Sequence, residues 1–294
     1  MSLFKGSGVA IVTPFHTDGR VDYETLETLL MFQMENKTDA IIICGSTGEA
    51  ATLTDDEQVE VIKFTVDKVN KKIPVIAGTG SNDTNHGIEL SKKAEEVGAD
   101  ACLLVTPYYN KTSQEGLYRH FKAHADAINI PIILYNVPSR TGLNINPETA
   151  LRLSETDNIV GIKEASGNMD QIVALSQICR GKLDIYSGND NEIIPILALG
   201  GIGVISVVAN ITPKETHELV YEYLEGDKAK ALDLQFKYFN LVNALFREVN
   251  PMPLKAALKL MGYNGCAYRA PLIEVSDATL KVLETEMKKV NLIK

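Results

Sequence analysis

The chain is poor in the features that mark membrane, disulfide-stapled, metal-binding or nucleic-acid-binding proteins. It has four cysteines in 294 residues (Cys44, Cys102, Cys179 and Cys266) and no C-x-x-C pair among them. Cys44 and Cys102 sit inside apolar runs, where cysteine serves as a small hydrophobe, so a reducing compartment without structural disulfides is expected. No apolar run approaches the length of a bilayer span, and the opening Met1-Ser2-Leu3-Phe4-Lys5-Gly6 offers no signal-peptide core. We therefore expect a cytoplasmic protein with no membrane partner. Net charge is −9 and no basic cluster exceeds a couple of residues, which argues against nucleic acid. An anionic substrate would need local positive groups, not a global field. His120 and His124 stand at i, i+4, but no H-E-x-x-H acid or Cys/His cluster accompanies them; they read as ordinary helix histidines, and no metal is expected.

A glycine-rich phosphate loop after the first strand is also missing, and that loop is the usual mark of a doubly wound sheet. The first strand runs out as Ile11-Val12-Thr13-Pro14-Phe15, Gly78-Thr79-Gly80 lacks a third glycine, and Gly200-Gly201-Ile202-Gly203 enters a strand instead of leaving one. What is present is a repeat of strand-length runs at 8–13, 40–44, 74–78, 101–105, 131–136, 159–163, 184–187 and 203–208. They begin about 20–35 residues apart, the length of a βα unit. Runs such as Ile41-Ile42-Ile43 and Ile132-Ile133-Leu134 are apolar throughout, as parallel strands covered on both faces are.

The segments between read as helices. Leu26, Leu29, Leu30 and Met34 make a stripe of 3.6 period across 22–36. Thr54 with Glu57 forms a capping box, Ser113 and Asn146 (followed by Pro147) suit helix starts, and Gly98 and Gly226 suit helix stops. Eight such units predict a (β/α)8 TIM barrel over residues 1–225. Beyond it the strands cease. Residues 227–249, 254–261 and 276–290 read as three helices, a C-terminal helical extension over 226–294 too small for a core of its own. Within 230–249, Leu232, Phe236, Phe239, Val242 and Phe246 form an apolar stripe suited to packing on the barrel or on a neighbouring subunit.

In a barrel of this kind the chemistry collects on the loops that follow the strands. Lys163 closes the sixth strand. Burial disfavours its ammonium form, and a neutral amine is a nucleophile for carbonyl carbon. Strand two ends in Gly45-Ser46-Thr47-Gly48-Glu49, hydroxyls and backbone N–H groups suited to a carboxylate. Strand four ends in Thr106-Pro107-Tyr108-Tyr109, and strand five in Tyr135-Asn136-Val137-Pro138-Ser139-Arg140-Thr141. Tyrosine can shuttle protons, and arginine can grip a carboxylate with two N–H groups. Taken singly, each has an ordinary reading as a rim, cap or solvated residue. Together they are the inventory a Schiff-base site for an α-keto acid needs. Glu164, alternating away from Lys163, reads as structural.

With these motifs in view, the chain resembles the dihydrodipicolinate synthase family of the pyruvate-dependent class I aldolase-lyase superfamily along essentially its whole length. Gly45–Glu49 and Gly161-Ile162-Lys163-Glu164-Ala165-Ser166 are shared across the superfamily; Tyr135–Thr141 with Tyr108-Tyr109 is closer to the synthases. The resemblance implies that Lys163 forms the imine with pyruvate. It implies a proton relay of Tyr135, Ser46 and Tyr109, the last contributed by an adjacent subunit. Thr47, Gly188 and Ile205 would bind or line the pyruvate pocket, and Arg140 would guide L-aspartate-β-semialdehyde. The product would be the heterocycle of lysine and diaminopimelate biosynthesis. No dissociable cofactor is implied, and a homotetramer, a dimer of dimers, is.

Two departures follow from the same comparison. Ser46 stands where the family usually has threonine, as in the sialic-acid lyase branch, and loses the methyl that restricts χ1. At the cleft where lysine inhibits some members, Ala51, Asn82 and Tyr108 match. Asp55, Gln58 and His86 do not, the regulated pattern there having two histidines and a glutamate, and Ala50 replaces a serine. Feedback by lysine is therefore expected to be feeble or absent. Two other readings stand beside the synthase: an N-acetylneuraminate or 2-keto-3-deoxy-sugar-acid lyase, and a non-catalytic binding protein on the same barrel.

Overall fold

The computed structural model describes residues 2–294. Eight strands, β1 (Gly6–Ala10), β2 (Ala40–Ile43), β3 (Val75–Gly78), β4 (Ala101–Val105), β5 (Ile132–Asn136), β6 (Ile159–Glu164), β7 (Asp184–Ser187) and β8 (Gly203–Ser206), close into a parallel barrel in sequential order. Closure is made where β8 returns to β1, with Gly6 opposite Gly203 and Gly8 opposite Ile205. Around it run α1 (Tyr23–Glu35), α2 (Asp55–Val69), α3 (Thr84–Glu96), α4 (Gln114–Ala127), α5 (Pro138–Thr141), α6 (Pro147–Leu153), α7 (Met169–Ile178), α8 (Ile193–Ala198) and α9 (Pro213–Glu225). Then follow α10 (Lys228–Leu245), α11 (Met252–Leu260) and α12 (Asp277–Lys289). The expected (β/α)8 TIM barrel with helices at its C-terminal end is the architecture observed.

Period-2 alternation sorts each strand between two cores. Ile41, Ile43, Cys102, Leu104, Ile132, Leu134 and Ile162 face outward and pack under the helices. Ile42, Leu103, Ile133, Tyr135, Ala165 and Ile205 face inward and fill the barrel. At the N-terminal end of the strands the Phe4 ring stacks on Tyr186 with centroids 4.4 Å apart, and Tyr186 donates its hydroxyl proton to the Phe4 carbonyl at 2.8 Å. That end is plugged by side chains.

The helix starts follow their local chemistry. Asp22 accepts from the Thr25 N–H, Thr54 and Glu57 form the reciprocal capping box, and Ser113 accepts from the Gly116 N–H. Asn146 differs: Pro147 occupies the first helical position, but the Asn146 side chain makes no cap and accepts instead from the Asn144 amide at 3.2 Å. Two strands differ from expectation by more than one residue at an end. β1 lies earlier because Val12 and Thr13 turn away from the ladder, the Val12 N–H donating to Asn210 Oδ1 and the Thr13 hydroxyl to the Gly48 carbonyl. β8 stops at Ser206 because the N–H groups of Val207 and Val208 are taken by the Asp190 carboxylate and the chain enters a 3-10 turn.

The extension shares the barrel's outer core: Tyr238, Leu241, Leu245, Leu254, Leu258 and Leu283 belong to the same packed cluster as the barrel helices. Its apolar stripe is divided. Val242 is buried, whereas Leu232, Phe236, Phe239 and Phe246 are exposed. The buried face of α10 is built from Ala231, Gln235, Tyr238, Leu241, Ala244 and Leu245 instead. Among the described residues no helix is long and apolar enough to cross a membrane.

Candidate active site

Lys163 and Tyr135 are register partners on neighbouring strands, both turned inward at the C-terminal end of the barrel. Lys163 is buried, with its Nζ 4.2 Å from the centre of the Tyr135 ring. Burial brings its amine down to about 7; Asp190 opposes that shift and Arg140 adds to it. The Tyr135 phenol is pushed up to about 12 by burial, and Arg140 pulls it back slightly. A poorly charged amine therefore lies beside a phenol that keeps its proton. Gly188 makes room for this lysine: a Cβ there would stand 3.1 Å from Lys163 Cγ and 2.7 Å from the Ala165 methyl group. Glu164, one residue on, faces the outer layer, accepting from the Asn136 amide at 3.0 Å and the Ser166 N–H at 2.6 Å.

A cavity of about 480 Å³ opens above the lysine, and Lys163, Tyr135, Ser46, Thr47, Arg140 and Gly188 all line it. Ser46 is open to this space, while Thr47 is buried and its hydroxyl accepts from the Asn250 amide at 2.9 Å. Arg140 rides on the short helix α5, started by Pro138, and donates from Nη2 to the Asn250 carbonyl at 3.2 Å. Ile205 is placed differently from these residues. It is fully buried in the barrel-filling layer with Tyr135 and Ala165, and Val207 lines the cavity in its stead. Tyr109 lines none of its own chain's cavity. It is 93% exposed and its backbone is left-handed, φ +68°.

A second cavity of about 520 Å³ adjoins the first, sharing Ser46, Tyr135, Arg140 and Asn250. It holds Ala50, Ala51, Asp55, Gln58, His86 and Tyr108. Asn82 lies just behind, its amide donating to the Tyr108 carbonyl at 3.2 Å. The polar groups that could take a ligand there are engaged with one another. His86 Nε2 lies 2.9 Å from Asp55, its Nδ1 lies 3.1 Å from the Ser81 hydroxyl, and Gln58 donates to the Gly78 carbonyl at 2.7 Å.

Two residues escaped sequence reasoning. Asn250 comes from the extension, more than 200 positions from Thr47, and nothing local marks it. Asp190, at the end of β7, is buried and accepts the N–H groups of Val207 and Val208 on Oδ2, while Oδ1 has no hydrogen-bond partner. Burial raises its pKa, and the nearby Lys163 opposes that. An acid three residues past the end of β7 was the available signal.

A closed barrel with a weakly basic lysine among hydroxyls at its mouth defines a class, the lysine-bearing aldolase-type lyases. The comparisons narrow it. The model of the dihydrodipicolinate synthetase family matches residues 3–290, and the chain belongs to that family. It is 56% identical over its full length to the 4-hydroxy-tetrahydrodipicolinate synthase of Lachnoclostridium phytofermentans, also covered in full. With the synthase of Clostridium novyi the identity is 55% over 99% of this chain and 98% of that one. The crystal structure of the chloride-inhibited synthase from Acinetobacter baumannii complexed with pyruvate superposes with a TM-score of 0.96 at 47% identity, covering 98% of this chain and 99% of that one.

Proposed function

We propose that the chain condenses pyruvate with L-aspartate-β-semialdehyde, as a 4-hydroxy-tetrahydrodipicolinate synthase of lysine and diaminopimelate biosynthesis. The observation that carries this is the placement of the Lys163 amine beside the Tyr135 ring in a cavity that also presents Ser46, Thr47 and Arg140. The neutral amine adds to C2 of pyruvate, and the resulting carbinolamine loses water to give an imine on Lys163. Both steps move protons, which the hydroxyls of Tyr135 and Ser46 can carry. Loss of a methyl proton gives the enamine, whose carbon bonds to the aldehyde carbon of the second substrate. The amine of that substrate then displaces lysine from the imine as the ring closes.

Thr47 and the backbone of its loop take the pyruvate carboxylate, with Gly188 keeping the space beside Lys163 open. Arg140 takes the carboxylate of the semialdehyde, because a small anionic second substrate needs a local cation. Ile205 supports the pocket from beneath. Tyr109 completes the relay from a neighbouring subunit, a role its exposure leaves it free to fill. The assembly is a homotetramer, a dimer of dimers, for which the exposed Leu232, Phe236 and Phe239 of α10 offer an apolar face. Residues 1–225 are the catalytic barrel and 226–294 the extension, and the protein works in the cytoplasm. Lysine inhibits it feebly or not at all, since the carboxylate and imidazole of Asp55 and His86 satisfy one another.

Borohydride reduction in the presence of pyruvate tests the reading. A pyruvyl adduct mapped to Lys163 is expected, with turnover on aspartate semialdehyde and none on N-acetylneuraminate or 2-keto-3-deoxygluconate. No adduct at Lys163, or preference for a sugar acid, would overturn it. Sub-millimolar inhibition by lysine would overturn the regulatory part alone.

A further inference from the structure

The loop that carries Ser46 and Thr47 is held by a buried ion pair reaching out of the C-terminal extension. Lys255 of α11 is 0% exposed and its Nζ pairs with Glu49, itself 4% exposed. The same ammonium donates to the Ala267 carbonyl at 2.8 Å and lies 4.3 Å over the Phe15 ring. The other Glu49 oxygen accepts from the Arg269 N–H at 3.4 Å, and the Arg269 guanidinium donates to the Thr52 carbonyl and to Glu57. Glu49 ends the five-residue loop with a left-handed backbone, φ +54°, and Cys44 precedes the loop with φ +56°. Neither residue is glycine, so both conformations persist only because their surroundings impose them.

A buried ion pair is seldom more stabilising than well-packed apolar residues of the same volume, whereas its geometry is fixed by charge and hydrogen bonds together. Here one end of the pair, Glu49, lies four residues after the loop's start, and the other, Lys255, lies five residues after Asn250. Asn250 holds the Thr47 hydroxyl, and the Thr13 hydroxyl holds the Gly48 carbonyl at 2.6 Å. The side chains that anchor the loop, from Thr13, Asn250 and Lys255, thus all lie outside it.

We propose that Lys255 is a positioning residue for the pyruvate site: through Glu49 it sets the backbone of Gly45–Glu49, so that the Thr47 hydroxyl and its neighbouring N–H groups meet the substrate carboxylate. The inference rests on the functional reading above. Loss of this positioning raises KM for pyruvate more than it lowers kcat, and leaves KM for the aldehyde substrate nearly unchanged. A merely structural role would lower the active fraction and leave both KM values where they are.

Two variants test it. Glu49→Asp keeps both charges and draws the carboxylate back by one methylene. Lys255→Met with Glu49→Gln removes both charges, leaves no buried ion unpaired and spares the fold, which melting curves check. In each, KM for pyruvate is expected to rise about tenfold, the half-saturating pyruvate for borohydride trapping to rise in step, and KM for aspartate semialdehyde to stay within about twofold. If wild-type protein traps pyruvate and a folded variant does so at the wild-type concentration, Lys255 has no such role. If wild-type protein itself forms no adduct, the underlying reading fails instead. Should the double variant not fold, Glu49→Asp decides the matter alone.

Discussion

Lys163 gains its chemistry from burial in a position where an apolar strand would otherwise place another aliphatic residue. With its amine near 7, a neutral nucleophile is already abundant at neutral pH, and each unit of acidification below that removes about nine-tenths of it. The rate of pyruvate imine formation should therefore rise about tenfold per pH unit below 7 and level off above it, as stopped-flow measurements across pH 5–9 would record. A rate that keeps climbing toward 10 would mean the lysine retains an ordinary amine. In the proposed relay Ser46 lacks the β-methyl that would restrict χ1 in a threonine. Ser46→Ala is expected to lower kcat by about a hundredfold and Ser46→Thr to stay within about threefold, and equal rates for the two would remove Ser46 from the relay. These residues were legible because each ends an apolar run of strand length, and the fold assigns chemistry to strand ends. Asn250 was not: its contact with Thr47 exists only once the extension has folded back over the barrel mouth. Tyr135 was named from its motif, whereas its ring lying 4.2 Å from the amine required the register of β5 on β6.

Between elements, α3 and α4 show how a pattern can be read correctly and still conceal its consequence. His120 and His124 both lie on α4. They are buried, however, with ring centroids 4.6 Å apart and both Nε2 atoms unpartnered. His124 donates through Nδ1 to the His120 carbonyl, and its Nε2 lies 2.5 Å from where a Cβ on Gly87 of α3 would stand. Burial holds both imidazoles below their ordinary range, His120 at about 4, and His124 adds to that shift by repulsion. Groups depressed in the folded state stay neutral there while the unfolded chain takes up protons. Stability is then undiminished above about 6.5 and declines as pH falls toward 4, by on the order of 3 kcal/mol for His120. Urea titrations at pH 7 and 4.5 should show this loss, and His120→Gln should flatten it; an unchanged pH slope would remove His120 as its source. Gly87→Ala should cost about 1–3 kcal/mol, because a buried ring on a packed helix cannot retreat. The 3.6 periodicity placed both helices, but which residues of one face meet which of the next is set by how the barrel tilts them, and no local pattern encodes that.

At the scale of the molecule, one chain leaves Tyr109 outside its own cavity and its surface with apolar groups uncovered. Tyr109 projects into solvent on a left-handed residue, and α10 leaves the rings of Phe236 and Phe239 exposed. If two copies exchange Tyr109, the lysine of one subunit works with the tyrosine of the other, and the requirement can be read by mixing two inactive proteins. Lys163→Ala and Tyr109→Phe should each be nearly inactive alone. After unfolding and refolding together, half of the dimers pair one subunit of each kind. In such a dimer one site keeps an intact lysine facing an intact tyrosine, so the mixture should recover to roughly a quarter of wild-type activity. If Tyr109 served its own subunit, no mixed dimer would contain a complete site and mixing would restore nothing. Phe236→Asp should lower the sedimenting mass from the proposed tetramer toward dimer while leaving this complementation in place. A variant that stayed tetrameric would show that α10 does not make the second contact. Complementation and mass thus report separately on the interface proposed to build the site and on the one proposed to join the pairs.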